Sequence, residues 1–322
     1  MKKQSPPKIT FIMNRENAIT ALAHQSAVNK AIDYIENNIC DKIELDSIAQ
    51  VANLSKFHFL RIFKTLIGET PLQFIMRLRL EKIASSLLSK PNDSITSIAN
   101  EFGFTDITAF SKNFKIQFGT TASNWRINNS NLNQIESNNT PTNNKSVEYF
   151  CNHAKSVKLE TKMVQNKSIE VKDIKQFSVV YYRHLGSYVR NDNLHEKMWS
   201  KLVAWATPKG YLNNPDLKTL VVYHDDPNLT NAEKQRMSFC ISIPDNAKVD
   251  NKIDKMIIEG GKYLVAHFEL KSTEFILAWD WVMKWLPTSG YEPDSKYCFE
   301  MYSEEPKNGL FGIDIHIPIR VY

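Results

Sequence analysis

The sequence has no apolar run approaching the roughly 18 residues of a membrane-crossing helix, and its start lacks the apolar core and cleavage site of a signal peptide. Neither membrane insertion nor export is expected, and a cytoplasmic location fits best. Cysteine is scarce: Cys40, Cys151, Cys240 and Cys298 include no Cys-x-x-Cys pair and no histidine at zinc-ligand spacing. A disulfide framework and a metal site are thereby disfavoured, and no metal or cofactor is expected. The eight histidines stand in no Ser/Cys–His arrangement, and there is no nucleophile elbow and no phosphate loop. An enzyme is therefore not the expected class.

At 322 residues with 42% hydrophobic content, the chain is long enough for more than one buried core. Its net charge of +5 is unevenly placed. Residues 1–126 hold 16 Lys and Arg against 11 Asp and Glu, whereas residues 127–322 hold 24 of each. The excess positive charge lies wholly in the first part, as a polyanion-binding region would have it. Residues 1–25 form a polar tail with no assigned role. The Asn- and Ser-rich stretch from Ile127 to Ser146 has little to bury and marks a linker, taken as 128–160. Before it the apolar period is helical; after it Ser178–Tyr182, Thr219–Tyr223, Ser238–Ile243 and Gly312–Ile319 are expected as strands. The predicted architecture is multidomain: an N-terminal all-α domain over 26–127 and a C-terminal α+β domain over 161–322.

Each part repeats internally. In the first, Ile48-Ala49 and Ile98-Ala99 are each followed by a turn residue, Asn53 or Gly103, and then by the pattern F-x-[RK]-x-F-K, Phe59 to Lys64 and Phe110 to Lys115. Gly68 and Gly119 close the two copies. A small alanine lets two helices approach, Asn53 and Gly103 suit a left-handed turn, and Ser55 or Asp106 suits a helix cap. Phe59 and Phe63, like Phe110 and Phe114, fall on one helix face, with Arg61, Lys64, Lys112 and Lys115 on the other. That is the plan of a helix-turn-helix, present twice and joined by the amphipathic stretch Pro71–Leu88.

Residues 26–127 resemble the DNA-binding domain of the AraC/XylS regulators, most distinctively over "GFTDITAFSKNFKIQFGTTASNWR". The family usually has proline where Ala122 stands, although Pro71 is kept in the first copy. The resemblance implies two recognition helices entering successive major-groove segments of promoter DNA. Their outward residues are then Lys56, Phe57, Leu60 and Arg61 in the first and Asp106, Ile107, Thr108 and Lys112 in the second. Arg61 is the expected base reader, and Lys64, Lys112 and Lys115 are expected phosphate contacts.

The second part repeats W-x5-W-x4-G-Y, from Trp199 and from Trp279. Each copy continues with Y-x-[DE]-[DE]-P (Tyr223 to Pro227, Tyr302 to Pro306) and I-x-I-P (Ile241 to Pro244, Ile315 to Pro318). Upstream, "VVYYRH" and "YLVAH" place a histidine near a strand end. This predicts a duplicated β-α-β-β unit with a cleft between its halves. Alternation on the strand around Glu300 puts Cys298, Glu300 and Tyr302 on one face and Tyr297, Phe299 and Met301 on the other. If the first face is internal, a carboxylate lies among aromatics and calls for a cation.

Residues 168–322 resemble the GyrI-like effector-binding domain through "YYRHLGSY", "HDDP", "WLPTSGYEP", "FEMYSEEP" and "DIHIPI". "FELK" stands where that family often has a Gly-Pro turn. The resemblance implies a small-molecule site at Glu300 and Tyr302, to which Trp199, Tyr223 and Trp279 are added as aromatic walls. The domain order resembles Rob-type regulators. The expected function is a transcription regulator, an activator in this reading, modulated by a cationic or amphipathic effector, binding DNA as a monomer and meeting RNA polymerase. The alternatives are a C-terminal domain that hydrolyses a reactive small molecule, with Glu300 and Tyr302 as acid and base, or one that binds a protein partner.

Overall fold

The computed structural model describes residues 8–130, 168–188, 192–250, 252–286, 289–302 and 308–320. The linker expected at 128–160 lies outside these beyond residue 130, as do Cys151, Pro306 and the first seven residues of the expected tail.

Seven helices form the N-terminal part: α1 (Lys8–Asn37), α2 (Leu45–Val51), α3 (Lys56–Ile67), α4 (Pro71–Ser89), α5 (Ile95–Glu101), α6 (Ile107–Phe118) and α7 (Ala122–Ser130). Helix α1 crosses the expected boundary at residue 26, so residues 8–25 are helical. The two helix-turn-helix units are α2–α3 and α5–α6. Ala49 and Ala99 are buried at their crossings. Asn53 (φ 53°) and Gly103 (φ 78°) take the left-handed conformation that makes each turn. Phe59, Phe63, Phe110 and Phe114 are all buried, two in each of two separate cores that α4 joins. The linker helix starts firmly because Thr70 and Gln73 form a reciprocal capping box with Pro71 at the first turn. The absent proline at Ala122 does not prevent α7: Thr121 Oγ1 accepts from Asn124 N at 3.3 Å.

The C-terminal part is a nine-stranded sheet in which every pairing is antiparallel. One half supplies β2 (Phe177–Leu185), α8 (Asp192–Ala206), β3 (Thr219–Tyr223) and β4 (Arg236–Ile243). The other supplies β6 (Gly261–Leu270), α9 (Phe275–Trp285), β8 (Cys298–Tyr302) and β9 (Phe311–Arg320). Spatial order β6-β9-β8-β3-β4-β2 is symmetric about the β8–β3 pair, which is the duplicated β-α-β-β arrangement. Three strands escape sequence reading: β1 (Ser168–Ile174) beside β6, β5 (Asp254–Ile258) beside β2, and the two-residue β7 (Glu292–Pro293). They are short or mostly exposed edge pieces, where apolar patterning is weakest. Helices α8 and α9 cover one face of the sheet through two apolar clusters.

Helix α1 lies against the opposite face and brings acids to buried bases. Asp33 meets Arg183 Nη2 at 2.8 Å and accepts from Tyr181 Oη at 2.7 Å. Glu36 lies 2.9 Å from Arg236 Nη1, accepts from Tyr297 Oη at 3.2 Å, and stands 3.5 Å from His224. Asp225 takes the other side of Arg236. Asn29 donates to Asp254 at 2.6 Å. The β3–β4 connection reaches the same domain from another side, with Leu229 against the second helical core and Lys234 2.7 Å from Glu69. The two domains are thus joined by buried charge.

Glu69 and Glu81 share Arg77 on α4, and Asp225 lies near Glu81. Burial, with Asp225 adding repulsion, outweighs half a share in one guanidinium and pushes the Glu81 carboxyl up to about 7. A carboxyl raised in the folded state adds stability that is full below its unfolded value near 4.5 and lost as pH rises through 7. Glu36 is shifted the other way: Arg236 leads the groups that hold its charge against burial, so its contribution is lost only in stronger acid. We therefore expect Glu81→Gln to flatten the pH dependence of thermal stability between about 4.5 and 7 and to leave the acid limb below 4.5 intact. A melting series over pH 4 to 8 reads both windows; an unchanged slope above 4.5 removes Glu81 from that role.

Candidate effector site and nucleic-acid interface

Glu300 sits on β8 directly opposite Val221 of β3, in register across the pseudo-two-fold. The repeat therefore places a carboxylate on one side of its axis and an isopropyl group on the other. Strand alternation holds as expected: Cys298 and Tyr302 pack beneath the helices, while Tyr297, Phe299 and Met301 face the opposite side. Glu300 is 0% exposed.

No cation partners it among the described residues. Three neutral donors do: Trp279 Nε1, Tyr302 Oη at 3.0 Å, and the Tyr223 hydroxyl. The buried carboxylate is thus satisfied within the chain, where a cationic ligand was the expected partner. Burial raises the Glu300 carboxyl above its usual range, and the three hydrogen bonds pull it back only in part. Burial, then the adjacent Glu300 charge, in turn raises the phenols of Tyr223 and Tyr302, so they remain donors.

All four predicted aromatics meet here. Trp199 packs edge-on against Tyr302 with centroids 5.7 Å apart, and Tyr223 against Trp279 at 5.3 Å. Their rings are partly exposed above a fully buried carboxylate. Two further aromatics belong to the group: Tyr188, 5.7 Å from Tyr223, and Phe275, 6.2 Å from Tyr302. Tyr188 closes the motif "YYRHLGSY", a signal that was present, whereas Phe275 at the start of α9 carried none. The outer tryptophans of the two repeats are structural: Trp205 stacks on Tyr211 and donates to Asp250, and Trp285 stacks on Trp281. Each W-x5-W pattern thus gives one tryptophan to the site and one to the scaffold.

In the helical domain, Lys56, Phe57, Arg61, Lys64, Thr108, Lys112 and Lys115 are exposed and Leu60 is half-buried. Phe57 is 84% exposed, a large apolar ring held in water. Lys56 pairs with Asp46 at 2.9 Å. Two of the residues expected to face outward from the second recognition helix also serve the fold. Asp106 Oδ1 accepts from the backbone N–H groups of Thr108 (2.8 Å) and Ala109 (3.1 Å), so it caps α6. Ile107 packs against the second core. Ser55, by contrast, makes no side-chain cap. Among the described residues no group of His, Cys, Asp and Glu is arranged to hold a metal, and no helix is long and apolar enough to cross a membrane.

Comparison with known proteins matches each of the two domains. Residues 48–128 match a helix-turn-helix domain family, and residues 167–320 match the GyrI-like small molecule binding domain. The chain is 29% identical to a DNA gyrase inhibitor of Pectobacterium carotovorum over 154 residues, 46% of this chain and 94% of that protein. It is 28% identical to the HTH-type transcriptional activator AarP of Providencia stuartii over 110 residues, 34% of this chain and 81% of AarP. It is 32% identical to the MmsAB operon regulatory protein of Pseudomonas aeruginosa over 93 residues, 29% of this chain and only 30% of that relative. With both domains matched in this order, the chain is an AraC/XylS-type transcription regulator that carries a helix-turn-helix domain ahead of a GyrI-like small molecule binding domain.

Proposed function

We propose that this regulator is an activator that reads promoter DNA with α3 and α6 of a single chain, and that a cationic, amphipathic effector at Glu300 sets its activity. The observation that carries the effector class is the buried Glu300 carboxylate, ringed by aromatic faces and held only by neutral donors. A cation entering among those rings gains the carboxylate charge and cation–π attraction together. The aromatic rings lie over the carboxylate, so the effector must part them to reach it. Activation is supported by the similarity to AarP, a transcriptional activator by name, and an activator of this kind would meet RNA polymerase.

On DNA, Arg61 is the base reader: exposed, on the solvent face of α3, and without an ion pair among the described residues. Its guanidinium suits bidentate pairing with guanine. Lys64, Lys112 and Lys115 serve phosphates, and Lys56, Phe57, Leu60 and Thr108 complete the contact surface. Both recognition helices already belong to one chain, so a monomer occupies the site. Arg61→Ala is expected to cost about 1 to 3 kcal/mol and to relax discrimination at one base pair. Binding titrations across single-base operator variants read both, and their stoichiometry tests the monomer. Uniform weakening at every variant would make Arg61 a phosphate contact instead.

A further inference from the structure

A second concavity lies between the two domains, away from Glu300. It has a volume of about 580 Å³, within the range of small-molecule sites, which favour domain junctions. Its walls come from α1, the C-terminal end of α3, the end of β2 and one face of α8. It shares no residue with the aromatic group around Glu300. Ile32, Leu66 and Met198 supply apolar wall.

The charged lining is of one sign. Arg183, Arg236, Lys197 and Lys201 border the cavity and no Asp or Glu does among the described residues; Asp33, Glu36 and Asp225 pair with the two arginines, which leaves Lys197 and Lys201 as the free charge of the lining. Lys197 and Lys201 lie one helical turn apart on α8, exposed and without an ion pair among the described residues. Arg183 is 2% exposed; its Nη2 is taken by Asp33, yet its Nη1 is buried with no hydrogen-bond partner. An orphaned buried guanidinium nitrogen is uncommon and calls for an acceptor. An organic anion with an apolar body supplies one and occupies the apolar wall as well.

We propose that the interdomain cavity is a second small-molecule site, selective for amphipathic organic anions, opposite in charge preference to the site at Glu300. Lys197 and Lys201 draw the anionic group in, and Arg183 meets it at the cavity wall. Because the walls come from both domains, an occupant bridges the DNA-binding and effector domains directly.

The test is calorimetric titration of the full chain with 2-naphthalenesulfonate and, separately, with (2-naphthylmethyl)trimethylammonium, an apolar body of the same kind with opposite charge. The sulfonate is expected to bind, to weaken at least tenfold in the Lys197→Ala/Lys201→Ala double variant, and to be indifferent to Glu300→Gln. Both lysines are exposed, so the double variant keeps the fold. Sulfonate binding that persists while the ammonium fails to bind upholds this site and removes the cationic reading of Glu300. Absence of sulfonate binding at millimolar concentration overturns the proposal, as does equal affinity in the double variant or loss of binding in Glu300→Gln. A double variant whose only defect is weaker, less salt-dependent DNA binding also overturns it, since the lysines then serve DNA phosphate.

Discussion

Glu300→Gln is expected to weaken binding of a cationic amphipathic probe by about 2 kcal/mol or more, roughly thirtyfold, while leaving the fold intact. The size follows from burial. At 0% exposure the carboxylate acts through little solvent, and in the variant the entering ammonium loses that anionic partner. Glutamine keeps the volume, and its carbonyl oxygen can accept from Trp279 while its amide donates to the Tyr302 hydroxyl oxygen, so the aromatic frame is preserved. The pH dependence gives a second readout. Burial raises the carboxyl of the free protein, so cation binding must drive off a proton once pH falls to that raised value. Wild-type affinity is then lost at about one decade per pH unit on the acid side. In Glu300→Gln that limb disappears, because no group at that position titrates. Tryptophan fluorescence reports occupancy, since Trp199 and Trp279 both lie in the group. Equal affinity of the two proteins across the pH range would sink the reading.

The same residue shows how far sequence carried. The duplication was legible because W-x5-W-x4-G-Y and its flanking motifs recur at fixed spacing, and alternation sufficed to assign faces around Glu300. The pairing of Glu300 with Val221 completes that inference, since the residues that differ between halves meet at the axis. Trp279, Tyr223 and Tyr302 were named as walls of the site, but their role as donors to the carboxylate was not legible. Trp279 and Tyr223 come from other elements, and only closure of the sheet brings them onto one carboxylate. In the helical domain the repeat gave both units, both turns and the buried phenylalanines. It also named Asp106 as a cap, which the structure bears out, whereas the packing of Ile107 against the second core could not be read from its place on a helix face. The largest omission is α1, whose Asp33 and Glu36 are ordinary helical acids in sequence. Their buried partners, Tyr181, Arg183 and Arg236, lie 148 or more residues further along the chain, beyond any local pattern.

That interface carries the other large effect. Arg236→Met is expected to destabilise the protein by about 3 to 5 kcal/mol, because the arginine is fully buried between Glu36 and Asp225 and its loss strands two carboxylates. The melting temperature is expected to fall by on the order of 10 °C. An exposed pair offers the contrast: Lys262→Ala, which removes the partner of Asp173, is expected to cost under about 1 kcal/mol. If stranded charge is the cause, Arg236→Met combined with Glu36→Gln and Asp225→Asn recovers most of the loss; a triple variant no more stable than the single one would assign it to packing instead. The geometry also gives the interface a functional consequence. Tyr223, the last residue of β3, reaches Glu300, while His224, which follows it, lies 3.5 Å from Glu36 of α1, so adjacent residues of the chain serve the effector site and the domain junction. Burial, with Arg183 adding repulsion, lowers the His224 imidazole and keeps it neutral, so it orients Glu36 without competing with Arg236 for charge. An effector can change DNA binding only by favouring one arrangement of this junction over another. Disconnecting it should therefore leave effector affinity near wild type while shrinking the effector's influence on DNA affinity. Asp33→Asn, which spares Arg236, is the milder variant for that measurement, comparing DNA titrations with and without a saturating cationic probe. Undiminished coupling in Asp33→Asn and in the triple variant would place the path elsewhere, with the Lys234–Glu69 contact as the remaining buried-charge link to the linker helix.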